Sequence, residues 1–356
     1  MRYDTGDRMV NTAIMALLVL VVIGVFMFFL LEASIGVQNI NGNQFGNPSS
    51  INYPTTTPTT SVIPQSQLDA YALSLINKDR GDFNLSNVSY SNVTSAQQHA
   101  DSMLKYGYFS HWDIYDMKPY MRYTLLGGKG SVDENIAYVY DSAGINVLDS
   151  LKNMEYNMMY NDSICCNNGH RYNILTPIHN QVSIGIAYNS TTIYFVEDFI
   201  NNYITWFYGT PSYSGGTVNL QGAAQNGYTL SLIDIIYDSP LVNTSPSQLP
   251  RSPYSYGSTV ACIGHRQGFT YYSCSGVQTL NATTYNVQGN DFNVSFDMGN
   301  LVSQYGPGEY TLSVCLANTS AGQQSVCSSS SSTDFVASTY TIFINQNGQQ
   351  YVPADV

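Results

Sequence analysis

The chain has 356 residues, of which 12 are basic and 24 acidic, giving a net charge of −12. No Lys/Arg cluster exists that could neutralise a phosphate backbone, so nucleic acid is excluded as a natural partner. Only 10% of residues are charged, and 30 tyrosines with many Asn, Ser and Thr supply polarity instead. That balance suits an extracellular surface, and the length allows two cores of ordinary domain size.

In chain order, the first feature is the run AIMALLVLVVIGVFMFFLL, Ala13 to Leu31, which is uncharged and mostly apolar. At about 1.5 Å per helical residue it is long enough to cross one bilayer. Arg2 and Arg8 precede it, and no Lys or Arg follows until Lys78. The positive flank predicts a cytoplasmic N-terminus (1–12), a single-pass anchor (13–31) and an extracellular remainder at the cell membrane. A cleaved signal peptide is the alternative, but its apolar region normally runs only about 7 to 15 residues. Residues 32–64, with NYPTTTPTTSVIP, read as a Pro/Thr-rich linker. All the Asn-x-Ser/Thr sequons considered (Asn84, Asn87, Asn92, Asn161, Asn189, Asn243, Asn281, Asn293, Asn318) lie beyond the apolar run, as expected of a glycoprotein.

Helical periodicity then begins. Leu68, Ala72, Leu75 and Ile76 mark one helix, and Ala96, Ala100, Met103 and Leu104 a second, opened by Thr94 or Ser95. A third starts after Ser142 and presents Ile145, Leu148, Leu151 and Met158. QVSIGIAY (181–188) and TTIYFVEDF (191–199) read as an antiparallel pair, which makes 65–205 an α+β domain. From 206 to 356 the runs GGTVNLQG, YTLSLIDIIY, STVACIG, FNVSFDM and EYTLSVCLA, separated by Gly, Pro, Asn and Ser, predict an all-β, Ig-like sandwich. There Cys262/Cys274 and Cys315/Cys327 are most simply two local disulfides, although six cysteines allow 15 connectivities. Cys165 and Cys166 lack a zinc-type Cys-x-x-Cys spacing and are expected to be free thiols or to reach other cysteines.

The residues with chemical potential are His111 in KYGYFSHWD, Glu134 in DENIAYVY, His170 in CCNNGHRYNIL, and Glu155 on the third helix. Glu155 shares a stripe with Leu148, Leu151 and Met158, and a carboxylate on a buried face requires a partner. His99 is expected to pack beside the second helix, His179 to be solvated in TPIHN, and His265 to belong to the β domain. Two imidazoles can ligate zinc or another divalent metal, with the carboxylates orienting them or acting as bases. The same four groups can also form a purely structural hydrogen-bonded network. No G-x-S-x-G elbow or phosphate loop marks another chemistry.

In order, LINKDRGDFNLSNV, AQQHADSMLKYGYFSHWD, DENIAY, GHRYNILTPIHNQVSIGIAY and IYFVEDF resemble the CAP superfamily (the SCP/PR-1, or cysteine-rich secretory protein, antigen 5 and pathogenesis-related 1 group), microbial type, over about Leu68 to Phe199. The resemblance implies an αβα sandwich whose cavity is lined by two His and two Glu: His111, Glu134, His170 and, for the second glutamate, Glu155. Asp133 stands where glycine is common, and CCNNGH replaces the usual Ser-Pro before Gly-His. The resemblance implies binding of a lipid, sterol or glycan through the CAP cleft, and the series of anchor, stalk, CAP-like domain and sandwich predicts a surface-binding role in which the β-sandwich holds an envelope protein or other envelope component. The alternatives are a metal-dependent hydrolase using the tetrad and a structural scaffold for surface interactions.

Overall fold

The computed structural model describes residues 63–263, 276–318 and 334–353. The expected cytoplasmic segment and anchor, almost all of the linker, and His265, Cys274 and Cys327 lie outside the described residues. Among the described residues no helix is long and apolar enough to cross a membrane.

The first part is built on a four-stranded sheet. Its strands are β1 (Ser89–Tyr90), β2 (Ser131–Tyr140), β3 (Gln181–Tyr188) and β4 (Thr192–Asn201), in the order β1-β3-β4-β2. The β1/β3 pair is parallel; β3/β4 and β4/β2 are antiparallel. The expected pair 181–188 and 191–199 is thus the centre of a larger sheet. Helices cover both faces, so the central strands are buried on both sides and lack simple polar–apolar alternation.

On one face, helix α1 (Gln65–Asp82) presents Leu68, Ala72 and Ile76, and α4 (Val147–Tyr160) presents Leu151, Met154 and Met158. These pack on Val182, Ile184, Ile186, Phe195 and Phe199. Ile145 precedes α4, and Leu148 in its first turn is 38% exposed, so the buried stripe begins later than the heptad-like pattern implied. On the opposite face lies α2 (Ser95–Tyr106), with Ala96, Ala100 and Met103 against Ile136, Ala187, Tyr194 and Val196. The approach of α2 to β3 is close: a Cβ on Gly185 would stand 2.0 Å from the Ala96 carbonyl oxygen. Any side chain there would force helix and strand apart. Gly107, with φ 68°, ends α2 in the left-handed conformation that glycine adopts without steric cost.

Two short helices complete this part, α3 (Pro119–Leu125) and α5 (Gly169–Leu175). Buried Arg80 of α1 secures the end of α5, donating to the carbonyls of Ile174 (2.7 Å), Thr176 (3.0 Å) and His179 (3.2 Å). It thereby satisfies acceptors that a helix C-terminus leaves open.

The second part contains β5 (Ile204–Trp206), β6 (Ser212–Ser214), β7 (Thr217–Ala224), β8 (Tyr228–Asp238), β9 (Ser258–Ile263), β10 (Gln278–Leu280), β11 (Ala282–Gln288), β12 (Asp291–Asp297), helix α6 (Gly299–Tyr305), β13 (Gly308–Asn318) and β14 (Asp334–Ile344). One sheet runs β10-β9-β8-β13-β14; the other runs β11-β12-β7-β5, with β6 also on β7. Their facing side chains, among them Leu220, Val294, Phe296, Ile235, Leu312 and Phe335, form one core. Cys262 and Cys315 are both disulfide-bonded. The two parts meet where β14 lies on α3: Thr124 Oγ1 donates to Thr339 O and accepts from Thr341 N, both at 3.1 Å. Tyr120 of α3 reaches Asp238 (2.7 Å), which also pairs with Lys118 at 2.6 Å.

Candidate functional site

The sheet's alternation decides which site residues can meet. Glu134 and Ile136 of β2 face α2, whereas Asn135, Ala137 and Val139 face α1 and α4. On β4 the corresponding neighbours are Asp198, toward Ser95 of α2, and Glu197, toward Asn135. Successive strand residues point to opposite faces, so two polar centres form, one on each side.

The first contains His111 and Glu134. His111 Nδ1 stands 2.9 Å from Glu134 Oε1, and Arg122 Nη2 donates to Glu134 Oε2 at 2.7 Å. Arg122 is brought there by α3 and held by the carbonyls of His111 (2.9 Å) and Met117 (2.6 Å). The Asp113 carboxylate shapes the loop before α3 by accepting from Tyr115 N and Met117 N, both at 2.9 Å. Burial pushes the Glu134 carboxyl up, but Arg122, with His99 and His111, brings it down to about 2. Asp198 goes the other way, raised to about 8 by burial and the Glu134 charge, and its Oδ2 accepts from Ser95 Oγ. His99 lies behind, its Nε2 2.8 Å from Ser110 O and 3.9 Å from Glu134. Burial, then Arg122, lowers its pKa to about 3, so it is neutral.

Glu134 is therefore ionised and fully engaged, a poor base. Its neighbourhood is also roofed by the β8–β9 connection. Tyr254 packs its ring 5.2 Å from that of His111 and accepts at its hydroxyl from Glu134 N at 3.4 Å. Ser110 Oγ donates to Pro250 O at 2.6 Å, and Thr244 N to Ile114 O at 2.8 Å.

The second centre contains Glu155. Burial, and then Glu197, raises its carboxyl well above the ordinary range, while burial raises Glu197 to about 7. Two buried carboxyls without a cation nearby are tolerable only if they share a proton. Asn135 donates to Glu197 at 3.1 Å and to the His170 carbonyl at 3.2 Å, and Asn173 donates to Asn135 at 2.9 Å. The His170 ring turns elsewhere, with Nδ1 2.6 Å from Asp162 Oδ1.

The structure thus bonds His111 to Glu134 and His170 to Asp162, and the Glu155 and Glu197 carboxyls influence each other's protonation. Among the described residues, no three of His111, Glu134, Glu155 and His170 present donors within 4.8 Å of one another. Among the described residues, the group of three or more His, Cys, Asp or Glu donors within 4.8 Å of one another is Asp162, Cys165, Cys166 and His170. In both His111 and His170 it is Nδ1 that meets a carboxylate, the orientation that presents Nε2 to a ligand.

Two further expectations are revised. His179 is buried rather than solvated, with Nδ1 2.8 Å from Asn201 Oδ1 and burial lowering its pKa to about 3. Cys165 and Cys166 are bonded to each other. Arg122, Asp198, Glu197 and Asp162 are site residues that the motifs did not reveal, although the adjacent acids in IYFVEDF place one carboxyl on each face of an apolar strand.

A three-layer α+β domain with a buried His–Glu–Arg network beneath its α2 layer defines the class. The model of the cysteine-rich secretory protein family, CAP, matches residues 73–205, and this segment is a CAP domain. The chain is similar to an extracellular protein containing an SCP domain from Bacillus anthracis str. Ames, at 18% identity and TM-score 0.31, covering 40% of this chain and 45% of that one. It is also similar to the CAP domain of enterococcal PrgA, at 17% identity and TM-score 0.30, covering 39% and 62%. The chain spans less than two thirds of either. No curated protein matches it.

Proposed function

We propose that this is a surface-binding protein, held at the cell membrane by residues 13–31, whose CAP domain binds carbohydrate of an envelope polymer. The observation that carries the reading is an aromatic strip on the edge strand β2. Tyr138 and Tyr140 share one face of the strand and are 50% and 66% exposed. Tyr138 is flanked by Phe109 at 4.7 Å and by Tyr194 at 5.8 Å, nearly parallel to the latter. Exposed aromatics in register offer apolar faces on which sugar rings stack, beside polar groups that meet hydroxyls.

The cavity beside α2, about 290 Å³, sets Tyr106 and Tyr115 beside Gln98, Asp101, Lys105, Asp113 and Arg122; the carbohydrate reading is preferred to a lipid or sterol on the exposed tyrosines of β2. Metal-dependent hydrolysis is the less favoured reading because Glu134, bonded to His111 and Arg122, is a poor general base.

Cosedimentation of the purified chain with insoluble envelope polysaccharide tests the reading, with anionic lipid vesicles as the comparison. Tyr138→Ala with Tyr140→Ala is expected to weaken retention at least about tenfold, the loss of two stacking contacts of roughly 1 kcal/mol each. Unchanged retention, or retention on vesicles alone, refutes it.

A further inference from the structure

The loop between α4 and α5 wraps metal donors around one carboxylate. Asp162, whose side chain is 1% exposed, holds His170 Nδ1 at 2.6 Å through Oδ1 and accepts from Arg171 N at 3.1 Å through Oδ2. Cys165 Sγ lies 3.7 Å from the same Oδ1 and 3.8 Å from the Asp162 carbonyl. Asn167 and Asn168, with φ 51° and 64°, turn the chain back so that Gly169 N bonds Cys166 O and His170 returns onto Asp162. Two consecutive left-handed non-glycine residues are costly, and the loop adopts them to bring these groups together.

The Cys165–Cys166 bond joins neighbours in sequence. A disulfide stabilises a fold chiefly by closing a long loop in the unfolded chain, and this one closes none. Its position on the surface, with Cys165 exposed, suits a bond that opens and closes.

We propose that Asp162, Cys165, Cys166 and His170 form a redox-gated site for a thiophilic divalent cation, closed while the sulfurs are bonded to each other and open when they are thiolates. Two thiolates, an imidazole and a carboxylate are a zinc donor set. Zinc takes sulfur at about 2.3 Å and nitrogen or oxygen at about 2.0 to 2.2 Å, which spaces tetrahedral ligands roughly 3.3 to 3.8 Å apart. The four donors already lie within 4.8 Å of one another, so small side-chain rotations bring them onto one ion. A dithiol reductant supplies two electrons: one of its thiolates attacks a sulfur, its second sulfur resolves the mixed disulfide, and it leaves oxidised as a cyclic disulfide. Two cysteine thiols remain. Zinc displaces their protons to solvent, and the His170 ring carries its proton on Nε2 while Nδ1 ligates. His111 is not part of this set; it stays on Glu134.

The test titrates zinc alone into the full chain, oxidised and after reduction by a phosphine, and repeats it with cobalt to read thiolate-to-metal absorption. The double variant Cys165→Ser, Cys166→Ser controls for the reduction of other disulfides. Reduced wild type is expected to take up one ion per chain more than the reduced double variant and to show tetrahedral cobalt–thiolate bands that the variant lacks. The oxidised protein is expected to lack this ion. His170→Ala is expected to weaken uptake at least about tenfold, with an unchanged circular dichroism spectrum showing that the fold is retained. Equal uptake by reduced wild type and the double variant overturns the site, and equal uptake by oxidised and reduced wild type overturns the gating.

Discussion

Replacing Arg122 by Met should expose what holds the His111–Glu134 centre together. Arg122 and Glu134 are both buried and meet at 2.7 Å. Removing one partner of such a pair leaves an uncompensated charge, typically at a cost of about 3 to 5 kcal/mol. The ionisation of Glu134 gives a second measure. Its carboxyl, although pushed up by burial, is brought to about 2 in the fold from an ordinary 4.5, a difference worth about 3 kcal/mol. Between those values the unfolded chain binds more protons than the folded one. This contribution is therefore complete above about pH 4.5 and is lost as the pH falls toward 2. Urea unfolding followed by fluorescence, where Trp112 adjoins the site, should show the variant less stable by about 3 to 5 kcal/mol at pH 7. At roughly 2 to 4 °C per kcal/mol, the melting temperature should fall by about 10 °C. The gap between wild type and variant should narrow below pH 4.5. A loss under about 1 kcal/mol at pH 7, or an unchanging gap on acidification, would refute the reasoning, because the pair would then be no better than a solvated one.

Glu155→Gln supplies a permanent donor to Glu197 in place of a shared proton. Glu155 and Glu197 are raised by burial, Glu197 to about 7, so their contribution is full below about pH 4.5 and is lost as the pH rises through about 7; melting curves from pH 5 to 9 should fall more steeply for wild type than for the variant, and equal slopes would show that no proton is shared. Tyr254→Ala removes the roof over His111: it should cost about 2 kcal/mol, less than a fully buried aromatic, and increase the rate of His111 acylation by diethyl pyrocarbonate, read by peptide mass, whereas an unchanged rate would mean that Tyr254 does not cover the ring. Protease applied to intact cells should release a fragment beginning within residues 32–64; its protection would count against the external placement.

Parts of the fold were legible as a period left by one covered face: Leu68, Ala72 and Ile76 repeat every four residues and are buried on α1, and FNVSFDM alternates along β12. YTLSLIDIIY and EYTLSVCLA coincide with β8 and β13, the latter buried on both faces, and were legible from their β-branched and aromatic runs between turn residues. Strand β2 was visible only as the motif DENIAY, because it carries polar residues toward both faces: Glu134 to Arg122, and Asn135 to Glu197. Helix α5, seven residues long, is too short for a period to register. It is held from outside by Arg80, ninety-four residues earlier than the Ile174 carbonyl it binds. His179 looked solvated because Pro177 and Asn180 mark a turn, but the same turn places its ring against Phe199 and Asn201.

The candidate tetrad shows the deeper limit. Residue types specify which groups can pair, whereas the pairing itself follows from the side of the sheet on which each lies. Glu134 and Asn135 are neighbours in sequence, as are Glu197 and Asp198, and extended backbone sends one of each pair to each face. The face toward α2 receives Glu134 and Asp198, where Arg122 is available, so one carboxylate ionises and the other is driven toward neutrality by burial and then by that charge. The face toward α4 receives Glu197 with Glu155 and no arginine near, so burial pushes both carboxyls up. Similar acids thus acquire opposite protonation across one strand. With Glu155 satisfied by a proton, His170 is not required as its partner, and its ring is left to Asp162 and the cysteine loop.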